Sequence, residues 1–441
     1  MPITKIRLAV LPLLVLAAGG CTREDEKSSL LTPPQGFTSD FDADVAIQWM
    51  DLVTASIDAE DLNAPEASRI IGYAGVTLYE SVVPGMLQRK SLGGQLSGLA
   101  TISNSSGQQH WPTIANEALA TVLTGLFANA QPTTLQAIAD LKAAFEVQFA
   151  TEANSSVIAN SVSRGMTVAS RINTWIGGDN FATVNDCAYV VPTGPGLWEP
   201  TPPAFNPDPI EPCWGSLRTS FLLFASECAP LGFPAYSTDP TSAFALEAME
   251  VYDTVNNLDQ AQMDIANFWA DGAGSITTPG HWVNITSTVL TDEGSSLDIA
   301  AEAYAKVGLA MADAYVSTWS LKYFYNLLRP VTYIQDPAGP INDPAWMSFV
   351  TTPDSPEFTS DVAVASAAAS YVLTNLFGTT SFTDDTYSPA RSFSTFNAAA
   401  QEAASAGLFG GTQFRSGIQR GFEQGTCIGQ TALQNVDFVK P

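Results

Sequence analysis

Histidine is nearly missing from this sequence: His110 and His281 are the only two in 441 residues. Imidazole is the side chain that titrates nearest neutrality and a common metal ligand, so acid–base or metal chemistry must use one of these two or do without. Positive charge is scarce as well, with 18 Lys and Arg against 44 Asp and Glu and a formal charge of −26. That balance opposes any broad contact with a phosphate backbone and excludes nucleic acid as a partner. Charged residues make up only 14% of the chain and hydrophobic ones 46%, which excludes extended disorder and allows a large core.

No apolar run has the length of a membrane span. The run from Leu8 to Ala18, preceded by Lys5 and Arg7, falls short of the ~20 residues a helix needs to cross a bilayer. It has the layout of an export signal over residues 1–20, ending in Gly19-Gly20 before Cys21. Small residues directly before a single Cys predict cleavage there and lipidation of Cys21, hence a cell-envelope protein held on its membrane by that lipid; a secreted form is the alternative. Residues 21–40 are polar, contain Pro and Gly, lack periodicity, and read as a tether. The other cysteines, Cys187, Cys213, Cys228 and Cys427, are even in number and read as disulfides, with three pairings open. No spacing among them supports a zinc site.

From residue 41 onward the chain reads as a single all-α domain of helix bundles with a long Pro-rich loop. Apolar residues recur at helical spacing over 43–59, 66–86, 114–128, 134–151, 156–176, 240–254, 258–270, 281–291, 296–328, 361–377, 394–406 and 415–435. The break at 177–216 is compositional: VVPTGPGLWEPTPPAFNPDPIEPCW carries eight prolines and two glycines and cannot continue a helix. A loop of that length needs anchors, for which Trp198, Phe205 and Trp214 are the candidates.

Lys322 and Arg329 are seven residues apart in a segment that reads as one helix stopped by Pro330. Seven steps of about 100° return to within about 20° of one face, so both cations are predicted to converge on one anion. On spacing alone, the alternative is that each snorkels to solvent or caps a helix C-terminus.

The pattern Lys322, six residues, Arg329-Pro330 resembles the first oxyanion motif of the superfamily that joins vanadium-dependent haloperoxidases with type 2 phosphatidic acid phosphatases and bacterial acid phosphatases. GPGLWEPTPPAF at 194–205, FWADGAGSITTPGHW at 268–282 and AAAQEAASAGLFGGTQFRSG at 398–417 resemble its bacterial chloroperoxidase-like branch. The resemblance implies helix bundles of the vanadium haloperoxidase type. It also implies an oxyanion site of one Lys, two Arg, a Ser-Gly pair, one His bonded to the central atom and one acid–base His.

Residue by residue, much of that site is absent. Lys322 and Arg329 match the first Lys and Arg, and Ser360 matches the Ser, so these three are the oxyanion-binding candidates. Asp361 stands for the Gly, Val362 for the acid–base His, Gly407 for the second Arg and Gln413 for the metal-bonding His. Valine has no titratable proton, and a neutral amide is a poor nucleophile and a weak ligand. A carboxylate about 4 Å from an oxyanion costs on the order of 4 kcal/mol per unit charge at an effective dielectric near 20. Asp361 is therefore predicted either to pair with Lys322 and Arg329 and neutralise the pocket from within, or to face solvent at the start of its helix. Arg391 and Arg415 are the two residues that could fill the vacated Arg position, and His281 reads as structural.

Two readings follow. One is an exported family member that is catalytically degenerate, with no metal and no cofactor. The other is an active haloperoxidase or phosphatase with an altered site, whose cofactor would be vanadate. A small oxyanion is the only ligand the motifs suggest, and no residue is assigned to catalysis.

Overall fold

The computed structural model describes residues 36–440 apart from 104–106 and 273. The export signal, Cys21 and most of the tether lie outside the described residues. No helix among those described is long and apolar enough to cross a membrane.

The periodic segments become helices because each stripe of apolar residues has a partner stripe to cover it. The first layer runs through α1 (Asp44–Ala59), α2 (Ala64–Val82), α3 (Trp111–Leu126), α4 (Pro132–Phe149) and α5 (Ser155–Ile176). Local sequence fixes where these helices start. Asn63 accepts the Glu66 N–H while the Glu66 carboxylate accepts that of Asn63, and Asn154 caps α5 through Val157.

The second half holds α6 (Phe181–Asn185), α7 (Ala243–Asn256), α8 (Gln260–Phe268), α9 (Thr277–Asp292), α10 (Leu297–Tyr325), α11 (Pro330–Gln335), α12 (Asp361–Phe377), α13 (Phe396–Phe409) and α14 (Arg415–Asn435). One small hairpin pairs β1 (Phe382–Asp384) with β2 (Arg391–Phe393). The fold is thus the expected all-helical one.

Two close helix crossings set the frame of the site. The long α10 lies against α2, where a Cβ on Gly72 would sit 3.2 Å from the Gly308 carbonyl and one on Gly308 2.7 Å from that of Ile71. Along α14, Gly417, Gly421, Gly425 and Gly429 form a stripe with a period of four. Gly421, Gly425 and Gly429 lie against backbone carbonyls of Ser360, Val364 and Ala368 at the start of and along α12, and Gly417 lies against the Glu357 carboxylate. A methyl group at these positions has no room, so the stripe fixes how near α14 comes to the segment that carries Ser360 and Asp361.

The Pro-rich loop is ordered across the helices. Trp198 and Trp214 are buried, and the Trp198 backbone N–H donates to the Asn326 carbonyl at 2.7 Å. Phe205 does not anchor it, contrary to expectation: it stands in a turn at φ 49° and is 58% exposed. Disulfides join Cys187 to Cys213, across the loop, and Cys228, in the irregular segment before α7, to Cys427 on α14. The second bridge spans 199 residues, the kind of long closure that removes most freedom from the unfolded chain.

Candidate oxyanion site

Lys322 and Arg329 do come together, but not as two turns of one helix. The helix α10 ends at Tyr325, where Asn326 takes a left-handed conformation at φ 49°. Arg329 is extended, at φ −81° and ψ 156°, and precedes α11, which starts at Pro330. Proline disfavours a helical residue before it and offers no N–H, so the break falls before the arginine and not after it. The two side chains meet because both reach the 353–360 segment.

Neither cation is free there. The Lys322 ammonium donates to the carbonyls of Pro356 at 3.0 Å and Glu357 at 3.2 Å, and lies 3.2 Å from Asp361 Oδ1. Burial pulls its pKa down to about 8, against the opposing pull of Asp361. Arg329 donates through Nε to the Ser355 carbonyl at 2.7 Å, through Nη1 to that of Thr412 at 3.0 Å, and through Nη2 to Ser355 Oγ at 3.0 Å. Its only contact with Asp361 is electrostatic, since no ion pair joins them among the described residues.

Ser360 is the N-cap of α12, its hydroxyl accepting the Ala363 N–H at 3.4 Å. Asp361 is the first residue of that helix, with its side chain 17% exposed, so it turns toward Lys322 and not to open solvent.

Gln413 lies over Gly407. A Cβ on Gly407 would come within 2.8 Å of Gln413 Cγ, so the amide occupies space that a longer side chain at 407 would need. With its amide oriented to satisfy both ends, Gln413 donates to Glu357 Oε1 at 2.6 Å and accepts from Arg329 Nη1 at 2.9 Å. Glu357 is the residue that sequence reading missed. It is fully buried, accepts the Phe414 N–H at 2.9 Å, and leaves Oε2 without a partner. Burial pushes its pKa up to about 7, with Arg329 opposing. A Glu two residues before a Thr-Ser pair carries no helical or motif signal of its own; the glycine at 417, which makes room for it, was the available hint.

Ser355, Ser360, Asp361, Gly407 and Gln413 border a cavity of about 280 Å³. Its wall includes Asp61, Asp271, Asp354 and Asp361, together with Val362, Gly407 and Gln413. No Lys, Arg or His lines it among the described residues, because Lys322 and Arg329 are both 0% exposed behind it.

Residues 302–439 match the family model of the VCPO second helical-bundle domain. The chain is 32% identical to a solved structure described as the first bacterial vanadium-dependent iodoperoxidase, covering 91% of this chain and 98% of that one, with a TM-score of 0.85. This chain is a vanadium haloperoxidase-family protein. The holo and apo structures of a bacterial vanadium-dependent chloroperoxidase share its fold at 14% identity, with TM-scores of 0.64 and 0.62. They cover 86% and 83% of this chain, and 93% and 91% of their own. No curated protein matches it.

Within this haloperoxidase fold, neither candidate arginine refills the site. Arg391 grips Glu402 through two bonds of 2.6 and 2.8 Å, and Arg415 is held by Glu250. The two histidines are also spent. His110 precedes α3 and is buried between Thr113 Oγ1 at 2.8 Å and Glu152 at 3.1 Å. His281 lies inside α9, not at a loop, with Nδ1 3.0 Å from Asp271 Oδ2 and Nε2 2.9 Å from Asp384 Oδ2. Its ring stacks on Trp269 at 4.4 Å. Burial alone lowers its pKa, but the two carboxylates outweigh it and carry the imidazolium up to about 9.

Proposed function

We propose that this chain is a haloperoxidase-family protein that does not oxidise halide, its oxyanion pocket being neutralised by its own carboxylates. The observation that carries this is the cavity wall, which is lined by four aspartates and by no cation among the described residues. In place of a bound oxyanion, Lys322 has Asp361 and two carbonyls, and Arg329 has the Ser355 and Thr412 carbonyls and the Gln413 amide.

The residues present do not fit vanadate. Its oxygens would need cations or backbone N–H groups turned toward them, and its central atom would need an imidazole ligand. Asp361 repels an anion at that spot, while Val362 can neither give nor take a proton. No catalytic step is therefore assigned to this site.

The decisive experiment is a titration of the folded protein with orthovanadate, followed by intrinsic fluorescence and calorimetry, paired with peroxide-dependent iodination and bromination of a dye. No saturable vanadate signal and no turnover of either halide are expected. Micromolar vanadate binding with turnover would overturn the reading and make this an active haloperoxidase.

The reading includes export and a lipid anchor. Support comes from the signal-like 1–20 segment ending before Cys21 and from the two disulfides, which belong to an oxidising compartment. In a bacterial expression host, the mature chain is expected to start at Cys21, carry the mass of added acyl chains and sediment with membranes. The Cys21→Ser variant is expected to lose both the acyl mass and the membrane fraction; an unmodified, soluble wild-type chain would refute the anchor.

A further inference from the structure

The same cavity has the features of a site for a ligand of the opposite sign. We propose that it binds a small organic cation of the alkylammonium class. This rests on the reading above only in that Asp361 stays with Lys322 and does not give way to an anion.

The charge pattern is the first support. Behind the wall, Lys322 is matched by Asp361, and His281 by Asp271 and Asp384. Arg329, which has no ion pair, faces Asp361 and Asp354 electrostatically, and Asp61 is matched by none of these cations. Asp61 accepts the Gly274 N–H at 2.7 Å and Asp354 an Asn206 N–H at 3.2 Å, and neither has an ion pair among the described residues. Asp61, Asp271, Asp354, Asp361 and Asp384 thus outnumber the three cations Lys322, Arg329 and His281, so the cavity carries net negative charge.

A second, independent feature is Thr277. It lines the cavity and is 98% buried, and its Oγ1 has no hydrogen-bond partner. A buried hydroxyl without a partner costs free energy unless a ligand or water meets it, and its lone pairs can accept an ammonium N–H. The backbone at Thr277 has φ 65°, an unusual setting for a β-branched residue, held where the chain enters α9.

Another part of the wall is apolar. Leu62, Ile210, Trp319, Val350 and Val362 line it there. Such a wall suits a hydrocarbon chain, and the pairing of hydrocarbon with one positive end is the chemistry of a small alkylammonium ion. Hydrated metal ions gain nothing from the apolar side, and butyrate and similar anions are repelled.

The test uses n-butylammonium as the probe, with n-butanol and butyrate as controls of the same chain length. Binding is read by calorimetry and by the fluorescence of Trp269 and Trp319, both of which line the cavity. A saturable one-to-one signal is expected for the amine, with Kd on the order of 1 mM or lower, as suits a ligand of so few atoms. Butanol is expected to bind at least about tenfold more weakly, and butyrate not to bind, a tenfold step being 1.4 kcal/mol.

The double variant Asp61→Asn with Asp354→Asn is expected to weaken the amine about tenfold while its circular dichroism stays unchanged. Asparagine keeps the hydrogen bonds and tolerates the positive φ of 51° at position 61. Equal binding of amine and butanol, undiminished binding by the double variant, preferential binding of calcium, or no saturable signal would each overturn the proposal. Vanadate binding in the separate titration would instead overturn the neutralised-pocket reading, so the two failures are told apart.

Discussion

Asp361→Asn is expected to lose about 3–5 kcal/mol of stability below neutral pH, because it strands a fully buried ammonium. Amide carbonyls still reach Lys322 in that variant, but no carboxylate balances its charge. The pH dependence identifies the cause. In the parent, burial already holds the folded pKa near 8 against 10.5 for a free lysine, and without Asp361 it falls further. Parent and variant then differ most well below pH 8, and the deficit fades as pH rises through 8, where Lys322 is neutral in both folded states. Urea unfolding at several pH values measures this directly.

The same substitution carries a second signal. Once the resident carboxylate is removed, an external anion near Lys322 is relieved of repulsion worth on the order of 4 kcal/mol at about 4 Å and a dielectric near 20. Orthovanadate is therefore expected to stabilise Asp361→Asn, and more so the double variant Asp361→Gly with Val362→His, while leaving the parent unchanged. A variant as stable as the parent, with no response to oxyanion, would show that Asp361 does not hold the pocket.

The second large effect belongs to His281. His281→Leu leaves Asp271 and Asp384 buried on either side of a hydrocarbon, and about 3–5 kcal/mol of stability is expected to be lost near neutral pH. The sign of its pH dependence is opposite in origin. A histidine whose pKa rises from 6.5 to about 9 on folding contributes stability fully present below pH 6.5 and lost as pH rises through 9. Two histidines make the ring NMR spectrum simple: His281 is expected to titrate near pH 9, and His110, which burial pulls down, below 6.5. Both rings titrating below 6.5 would remove the imidazolium from the account.

His281 reaches the cavity only through Asp271, its hydrogen-bond partner on the wall. Its charge is consumed in tying α9 to the 382–384 strand, and Tyr387 adds a bond to Asp271 at 3.1 Å. The scarcity of histidine in this chain thus leaves no imidazole for the oxyanion position.

By itself the sequence determined the helices, because apolar spacing and capping residues are local. It also determined which family residues are replaced, since Val362, Gln413, Gly407 and Asp361 are read directly from motif positions. Tertiary structure decided what those replacements do. The convergence of Lys322 and Arg329 depends on a helix end at Asn326 that heptad spacing does not contain, and the cysteine pairing depends on the segment around Cys228 lying against α14. Glu357 became visible only when the glycine stripe of α14 brought Gly417 against its carboxylate. Charge balance is a property of distances between segments far apart in the chain. For that reason the list of residues could name Asp361 as a conflict, and only packing could place its carboxylate 3.2 Å from Lys322.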